Sequence, residues 1–538
     1  MKQLAVLLLI FGCCCMNLHS FAQVAVPFKS KTSDSTQTVY IWHSDTLREV
    51  QKDSIAIQSL FGHVKLQSGK TFFYCDSLAI NHKENFMEAF RNVHINDNDS
   101  TDIYSQYMKY FVDRKYIVFQ KKVILKDGRG ILSTEELAYD MNLHIGNYLN
   151  GGKVVNQKTT VTSKEGTYYA DSKDVLFKKD VVLKDPAYDL TADSLLYNSD
   201  RQLATFITTT FIRDSSGRTI RTKEGFYDLK NHRAQFGKRP TITDASQAIT
   251  ADDVQFDDSL GLSTARGNAV YRDTAQGFVV ISNSLVADKK NNTILATQKP
   301  LMILKADKDS IYIRADTLFS GKIPDSLLNR TDSVQGMPIV KTAHNVNDSS
   351  LRFLLAYHHV RIFSDSLQAV ADSMYYSGMD SIFRLYTNPT AWAGGFQITG
   401  DTMFLYTKNK KPDYLYVFEN GLVVGKAAEN MYNQVKGNTI NGYFKDGVID
   451  FMRAKGSAES VYYIKDDSMA LVSVNKVNKA DIIDMIFKDK ALNKVVLRND
   501  VEAVMTPIRN VNFDEMKLRN FKWLEDLRPK SKFELFEN

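Results

Sequence analysis

The chain has 538 residues, of which 43% are hydrophobic and 24% are charged, so its composition excludes a disordered protein. Its 68 Lys and Arg residues against 62 Asp and Glu give a formal net charge of +6, spread along the whole length. This mild balance argues against a nucleic-acid-binding protein, which usually carries a dense basic patch. At about 100–200 residues per domain, the length allows about three domains or one long array of repeats.

The N-terminal segment, residues 1–22, has the pattern of a secretory signal peptide. Lys2 gives a positive start, residues 4–15 form an apolar run, and residues 20–22 (Ser-Phe-Ala) offer small side chains for cleavage. The apolar run is too short to span a bilayer. Two alternatives stay open, a buried N-terminal helix and lipoprotein processing at Cys13. We therefore predict export to the periplasm, with peripheral attachment to the outer membrane as an open alternative.

The cysteine count agrees with this prediction. Three of the four cysteines, Cys13, Cys14 and Cys15, lie in the leader. The mature chain keeps Cys75, so we expect neither an internal disulfide nor a cysteine metal cluster. Residues 23–39 are polar and rich in Ser and Thr, which is typical of a flexible leader after cleavage.

A motif of alternating apolar residues that ends in aspartate recurs along the chain. Its copies end at Asp97, Asp127, Asp185, Asp214, Asp244 and Asp273. The spacing is nearly constant, except that the interval from Asp127 to Asp185 is twice the others and spans a degenerate copy. A fixed spacing of this kind indicates a repeat architecture.

A second motif lies between the copies of the first. It reads small, acidic, Ser or Thr, then apolar, as in Ala192-Asp-Ser-Leu195. Its spacing is about twice that of the first motif, and weaker copies fall near the half period. The two motifs together define a repeating unit of roughly 29 residues, a length typical of repeat proteins. The copies of the second motif begin at Cys75, Thr134, Ala192, Ala251, Ala315 and Ala371.

Each unit has the pattern of two short β-strands. Polar and apolar residues alternate over five to eight positions, and turn residues such as Asp127-Gly128 separate the runs. Strands joined by short turns cannot be connected by crossover helices, so they pair antiparallel. We predict an all-β protein with two stacked faces, elongated by roughly 4.8 Å for each strand layer.

The alternation also predicts the inner face. Equivalent residues of successive units should stack into continuous apolar stripes. Two interpretations stay open: the stripes fill a closed core, or the two sheets splay and leave a groove for acyl chains. The candidate groove residues are Leu78, Ile80, Val93, Ile95, Val123, Leu125, Leu137, Tyr139, Val181, Leu183, Leu195, Tyr197, Ile212, Ile242, Val254 and Phe256.

These alternating units, following a signal peptide, resemble the OstA-like (organic solvent tolerance) family over about residues 40–500. The resemblance implies a V-shaped β-jellyroll with two splayed antiparallel sheets, whose inner groove carries lipid A. It also implies that protomers and other lipopolysaccharide-transport components join end to end by strand pairing. The expected function is binding lipopolysaccharide, or a related glycolipid, and transporting it to the outer membrane, which contributes to outer-membrane assembly. No enzyme activity and no cofactor are expected.

The spacing of the repeated motifs predicts the domain boundaries. We expect a first OstA-like β-jellyroll at residues 40–320 and a second β-array at 351–512. Between them, residues 321–350 break the spacing and hold Pro324 and Pro338, which indicates a loop insertion. Residues 513–538 suit a short helix that forms a cap or tail, with a membrane or partner anchor as the alternative.

Two other functions stay open. A structural envelope scaffold would have a closed core and would dock partners through exposed sheet edges. A carbohydrate-active β-helix enzyme would need clustered outward carboxylates, and we find neither a catalytic nor a metal-binding pattern. The recurring Asp76, Asp193, Asp316 and Asp372 are interpreted as hydrogen-bond acceptors at turns or strand starts. His358 and His359 are expected to face solvent on opposite sides of a strand.

Overall fold

A computed structural model of the chain describes residues 39–52, 55–97, 101–128, 130–305, 310–323, 351–408, 411–466, 468–488 and 491–537. The predicted signal peptide lies outside the described residues, as do nearly all of the leader and most of the predicted loop 321–350. None of the helices in these ranges has the length and hydropathy of a membrane span.

The first part of the chain is built from strands joined by tight turns. They are β1 (Val39–His43), β2 (Thr46–Lys52), β3 (Ile55–Ser68), β4 (Thr71–Asn81), β5 (Phe86–Asp97), β6 (Thr101–Phe111), β7 (Tyr116–Asp127), β8 (Gly130–Asp140), β9 (Ile145–Tyr148), β10 (Gly152–Asn156), β11 (Thr159–Ser163), β12 (Glu165–Tyr169), β13 (Asp174–Lys184), β14 (Tyr188–Asn198), β15 (Leu203–Phe206), β16 (Thr210–Asp214), β17 (Thr219–Thr222), β18 (Glu224–Asp228), β19 (Arg233–Gly237), β20 (Thr241–Asp244), β21 (Gln247–Thr250), β22 (Asp253–Asp257), β23 (Leu262–Asp273), β24 (Phe278–Asp288), β25 (Thr293–Thr297), β26 (Leu301–Leu304), β27 (Ile311–Arg314) and β28 (Thr317–Lys322).

The same pattern continues after residue 351, with longer strands toward the end. They are β29 (Arg352–Phe363), β30 (Leu367–Ser377), β31 (Ile382–Tyr386), β32 (Thr390–Ala393), β33 (Phe396–Thr399), β34 (Thr402–Lys408), β35 (Lys411–Ala428), β36 (Met431–Lys445), β37 (Val448–Lys465), β38 (Leu471–Lys488), β39 (Ala491–Arg498) and β40 (Glu502–Pro507). Helical structure in the described ranges is limited to 3-10 turns at Ile508–Asn510, Phe513–Met516 and Glu525–Leu527 and to one α-helix, α1, at Glu534–Glu537. The predicted all-β fold is confirmed.

Each long strand bends near its middle. The pairing of β5 with β6 shifts between Phe90 and Val93, and the residues between them, Arg91 and Asn92, have φ values of 60° and 48°. A left-handed backbone is unfavourable for residues with a side chain, so it marks a sharp change of direction. Similar pairs lie at Lys121–Lys122, Lys179–Asp180, Lys238–Arg239, Gln298–Lys299 and Thr387–Asn388.

The bends divide the strands between two walls. Wall one contains residues 77–81 of β4 paired with 86–90 of β5, and wall two contains residues 71–74 paired with 94–97. Where a strand is interrupted at the bend, its halves are separate elements, as in β9 and β10, which both pair with β8. We call the line of bends the seam and the opposite edge, where strand ends of the two walls face each other, the mouth. This two-walled, repeat-built arrangement is the predicted jellyroll.

One hydrophobic core fills the space between the walls. It extends from Leu60 in β3 to Phe487 in β38 without interruption. The strands on either side of residues 324–350 are paired directly, β27 and β28 both with β29. Hydrogen bonding is therefore continuous between the two predicted arrays, whose boundaries stay predictions.

The segment that follows β40, residues 508–537, lies across the outer face of wall two. We call it the strap. The Gln434 side chain donates to the Met516 carbonyl (2.8 Å) and accepts from the Leu518 amide (2.9 Å). Gln397 likewise donates to the Lys522 carbonyl (2.8 Å). These side-chain amides replace the strand partner that an extended segment otherwise needs, because buried backbone groups require hydrogen bonds.

The end of the strap reaches strands near the middle of the chain. Arg528 donates to the Gln368 side chain (2.8 Å), and Leu535 is fully buried beside Leu301 and Phe363. The strap thus covers outer-face apolar residues on strands from β38 back to β26. In place of the short amphipathic helix expected from about Phe513, the chain forms isolated 3-10 turns and extended stretches held by the sheet.

Candidate functional site

The predicted groove residues all line the interior between the walls. Fifteen of them are at most 7% exposed, and Leu137, Leu183, Leu195 and Val254 are completely buried. Ile80 is half-buried and packs against the same core. The structure therefore brings the predicted stripes together in one continuous cluster, as the alternation requires.

In this structure the interior is occupied by its own side chains. Leu125 and Leu195 contact other core residues and not solvent, so an acyl chain must separate the walls before it can touch them. Lipid binding at these residues stays a prediction. Separation would replace side-chain packing with lipid packing, and both environments are apolar.

Polar contacts join the two walls at part of the mouth. The Tyr139 hydroxyl of wall one donates to the Asp97 carboxylate of wall two (3.2 Å), and the Tyr168 hydroxyl donates to Asp127. Lys173 reinforces the second contact with an ion pair to Asp127 (2.6 Å). One repeat unit further along the chain, the Asn156 amide of wall two donates to the Tyr197 hydroxyl (3.2 Å). We call these three tyrosine contacts the mouth ladder.

The ladder tyrosines are buried, and this changes their acidity. Burial raises the pKa of the Tyr197 hydroxyl to about 12. Burial and the nearby Asp97 charge raise the pKa of Tyr139 further, and burial and the hydrogen bond to Asp127 do the same for the pKa of Tyr168. The hydroxyls therefore stay protonated at any physiological pH.

Tyr139 and Tyr197 are among the predicted groove residues, but their pairing with polar groups across the mouth was not predicted from the sequence. Each ladder tyrosine lies 41 or 42 residues after its partner. The signal was available: the tyrosines at 139, 168 and 197 repeat with the same period as the residues at 97, 127 and 156. A constant offset between two periodic polar rows indicates contact between neighbouring layers.

At the seam, acidic side chains pair with the bend residues. Asp76 accepts a hydrogen bond from Asn92 (2.9 Å), Asp316 contacts His359 (2.8 Å), and Asp372 contacts His358 (3.0 Å). The interpretation as hydrogen-bond acceptors is confirmed for these three aspartates, and it stays a prediction for the exposed Asp193. Both histidine side chains are exposed, as expected.

An apolar pocket lies at the mouth in the stretch from β27 to β35. It has about 440 Å³ of empty space, part of which is continuous with solvent. Wall two contributes residues of β27, β29 and β30, and wall one contributes residues of β31, β34 and β35. The lining residues are Ile311, Ile362, Ser364, Leu367, Phe383, Leu405, Thr407, Lys411 and Pro412.

Other chemistry-bearing groups do not assemble into a site. Within the described ranges, no cluster of three or more His, Cys, Asp or Glu side chains could hold a metal ion. Cys75 is a buried free cysteine at the seam, and burial and the adjacent Asp76 raise its thiol pKa to about 12. A thiol of this kind is a poor nucleophile at neutral pH.

Together, the fold and the interior define an all-β, two-walled repeat protein with a continuous apolar core. Residues 36–193 match the model of a family described as OstA-like protein. The resemblance found in the sequence is therefore confirmed over these residues, which we call the OstA-like segment because of this match.

A second comparison concerns solved structures. The chain is similar to LptH from Pseudomonas aeruginosa, described as the LptA-homologous periplasmic component of the conserved lipopolysaccharide transport device. The identity is 13%, the match covers 26% of this chain and 81% of LptH, and the TM-score is 0.19. Likeness at this level says nothing about shared function. A search of curated proteins found no match.

Proposed function

We propose that this protein binds lipopolysaccharide, or a related glycolipid, in the periplasm and conveys it toward the outer membrane. The observation that carries the proposal is the unbroken apolar interior between two walls, in a chain with an OstA-like segment. Each methylene that leaves water contributes about 0.8 kcal/mol, so acyl tails gain strongly from such an interior. Uniform stripes favour sliding, because no position binds a tail much more tightly than the next.

The ends of the sheet support docking to other transport components. Among the described strands, β1 and β2 pair only with β3, and β39 and β40 pair only with β38. Trp42 at the first edge and Met505 at the last are each 63% exposed. An unpaired strand edge is a template for strand addition by another protein. We propose that partners join at these two ends.

The burial of the interior favours a second candidate, an envelope scaffold with a closed core. In that case the stripes serve only stability, and partners bind at the sheet edges. The two candidates differ in one property: a conveyor must admit lipid between its walls, and a scaffold never does.

The deciding experiment places a photocrosslinking amino acid at Leu195, which is completely buried, in cells that make lipopolysaccharide. Leu196, the next residue, points to the outer face and is the matched control. A conveyor gives a lipopolysaccharide adduct at Leu195 and none at Leu196. A folded protein that gives no adduct at Leu195, or equal adducts at both positions, contradicts the conveyor and supports the scaffold.

A further inference from the structure

The side chains that line the mouth change from polar to apolar along the chain. One cross-strand row of wall one carries Tyr139, Tyr168 and Tyr197 on every second strand, where the tyrosines meet polar groups of wall two. The same row continues, partner by partner, to Phe383 and Leu405. Along this one row, the side chains at the mouth thus change from the ladder tyrosines to Phe383 and Leu405, which carry no polar group.

The facing residues of wall two change in the same way. Opposite the ladder they are polar and buried, as at Asp97, Asp127 and Asn156. Opposite Phe383 and Leu405, the wall-two side of the pocket is formed by Ile311, Ile362, Ser364 and Leu367, and three of these four are apolar. Separating polar contacts costs hydrogen bonds, whereas separating apolar side chains around an entering acyl chain replaces one apolar contact by another.

Two lysines border this stretch on the wall-one side. Lys411 lines the pocket and is exposed, and Lys408 lies directly opposite it in the pairing of β34 with β35. An apolar pocket with a cationic rim matches an amphiphile that has a hydrocarbon chain and an acidic headgroup.

We propose that this pocket is the access site at which an acyl chain of an anionic amphiphile passes between the walls, with its acidic headgroup at the Lys411 rim. The inference deepens the proposed lipid-conveying function and rests on it. It assigns to the stretch from β27 to β35 the task of admitting the chain, while the mouth ladder holds the walls together between β5 and β14.

The strap fits this assignment. It crosses the outer face of the same wall-two strands, where Arg528 holds Gln368, the residue that follows Leu367 of the pocket. The inner face of that strand is therefore free to contact an acyl chain while its outer face is fixed. Opening at the pocket would then move the wall-one ends of β31, β34 and β35.

The test uses the full chain and a photoreactive probe, hexadecanoic acid with a diazirine at the end of its chain. After illumination, mass spectrometry locates the labelled peptides. The inference expects labels within residues 362–367 or 403–412. Labels found only elsewhere, or no labels on a folded protein, would overturn it.

A second arm tests the rim with dansyl-undecanoic acid, whose fluorescence rises in an apolar site. Lys411→Glu should weaken binding about fivefold, the value of one exposed ion pair of about 1 kcal/mol. Lys426→Glu, on the other end of β35 and also exposed, makes the same charge change away from the pocket and should leave the affinity unchanged. Equal effects of the two substitutions count against the site, and so does binding of dansylglycine, which lacks the acyl chain.

The two arms separate this inference from the proposed function. If Leu195 captures lipopolysaccharide but the fatty acid never labels the pocket, the access site is wrong and the conveyor stands. If the pocket is labelled and Leu195 captures no lipopolysaccharide, the pocket is a real amphiphile site and the conveyor is wrong.

Discussion

At the scale of single residues, the polar groups of the interior are concentrated at its two edges. Seam aspartates such as Asp76 hold bend residues whose backbone is left-handed, and the mouth ladder joins the walls at the opposite edge. Between these edges the side chains are apolar and buried. The walls are therefore joined along the seam and along part of the mouth, and separation of the walls must begin where these contacts are missing.

The ladder predicts a loss of stability at alkaline pH. Its tyrosines have a folded-state pKa above the unfolded value of about 10, so folding favours the protonated form. This contribution is complete below about pH 10 and declines as the pH rises above it, because the unfolded chain then binds fewer protons than the folded one. We expect the urea concentration at the midpoint of unfolding to be constant from about pH 7 to about pH 9.5 and to decrease above that pH.

Tyr168→Phe tests the origin of that fall. It should reduce the alkaline drop and cost about 1–3 kcal/mol at neutral pH, because Asp127 loses a buried donor. Tyr169→Phe is the matched control, since this neighbour points to the outer face and should change stability by less than about 0.5 kcal/mol. The explanation is wrong if both variants follow the pH profile of the unmodified protein.

At the scale of elements, the strap stabilises the second array from outside. Its hydrogen bonds come from glutamines on one cross-strand row of wall two, which also includes Val424 and Trp392. Gln434 and Gln397 are 2% exposed or less, which shows how closely the strap covers them. The sheet there is buried on both faces.

Replacing one of these glutamines should release part of the strap. Gln434→Met keeps the volume but removes both hydrogen bonds to the strap backbone, at a cost of about 1–3 kcal/mol. We expect faster amide hydrogen exchange at Leu518 and new proteolytic cleavage near residue 516. Gln255→Met, a half-buried position on β22, is the control. Unchanged exchange at Leu518 would show that apolar packing alone holds the strap.

At the scale of the whole molecule, the question is whether the walls are closed in solution. Leu195 is completely buried, so Leu195→Ala should cost about 2–5 kcal/mol if the interior is packed as in the structure. If the walls formed an open trough, the Leu195 side chain would be partly exposed to water. The loss of unfolding free energy caused by Leu195→Ala would then be closer to that caused by Leu196→Ala. Urea denaturation of the two variants measures the difference. Similar values for both would show that the walls are apart in solution.

Much of the architecture could be read from the sequence because its causes are local. Alternation with a period of two shows which side chains share a face, and a constant spacing between motif copies shows which of them stack. Leu78, Leu137 and Leu195 were assigned to one stripe in this way, and the structure places them in one core. The resemblance to the OstA-like family rested on the same periodicity.

What only the tertiary structure decided depends on residues that are distant in the chain. The pairing of Tyr139 with Asp97 follows from the bend of each strand and the approach of the two walls, which no local pattern encodes. The strap bonds of Gln434 and Gln368 join residues 82 and 160 positions apart, so their partners could not be found from spacing within a repeat. Whether the stripes face solvent or one another was likewise open, because alternation defines a face but not what covers it.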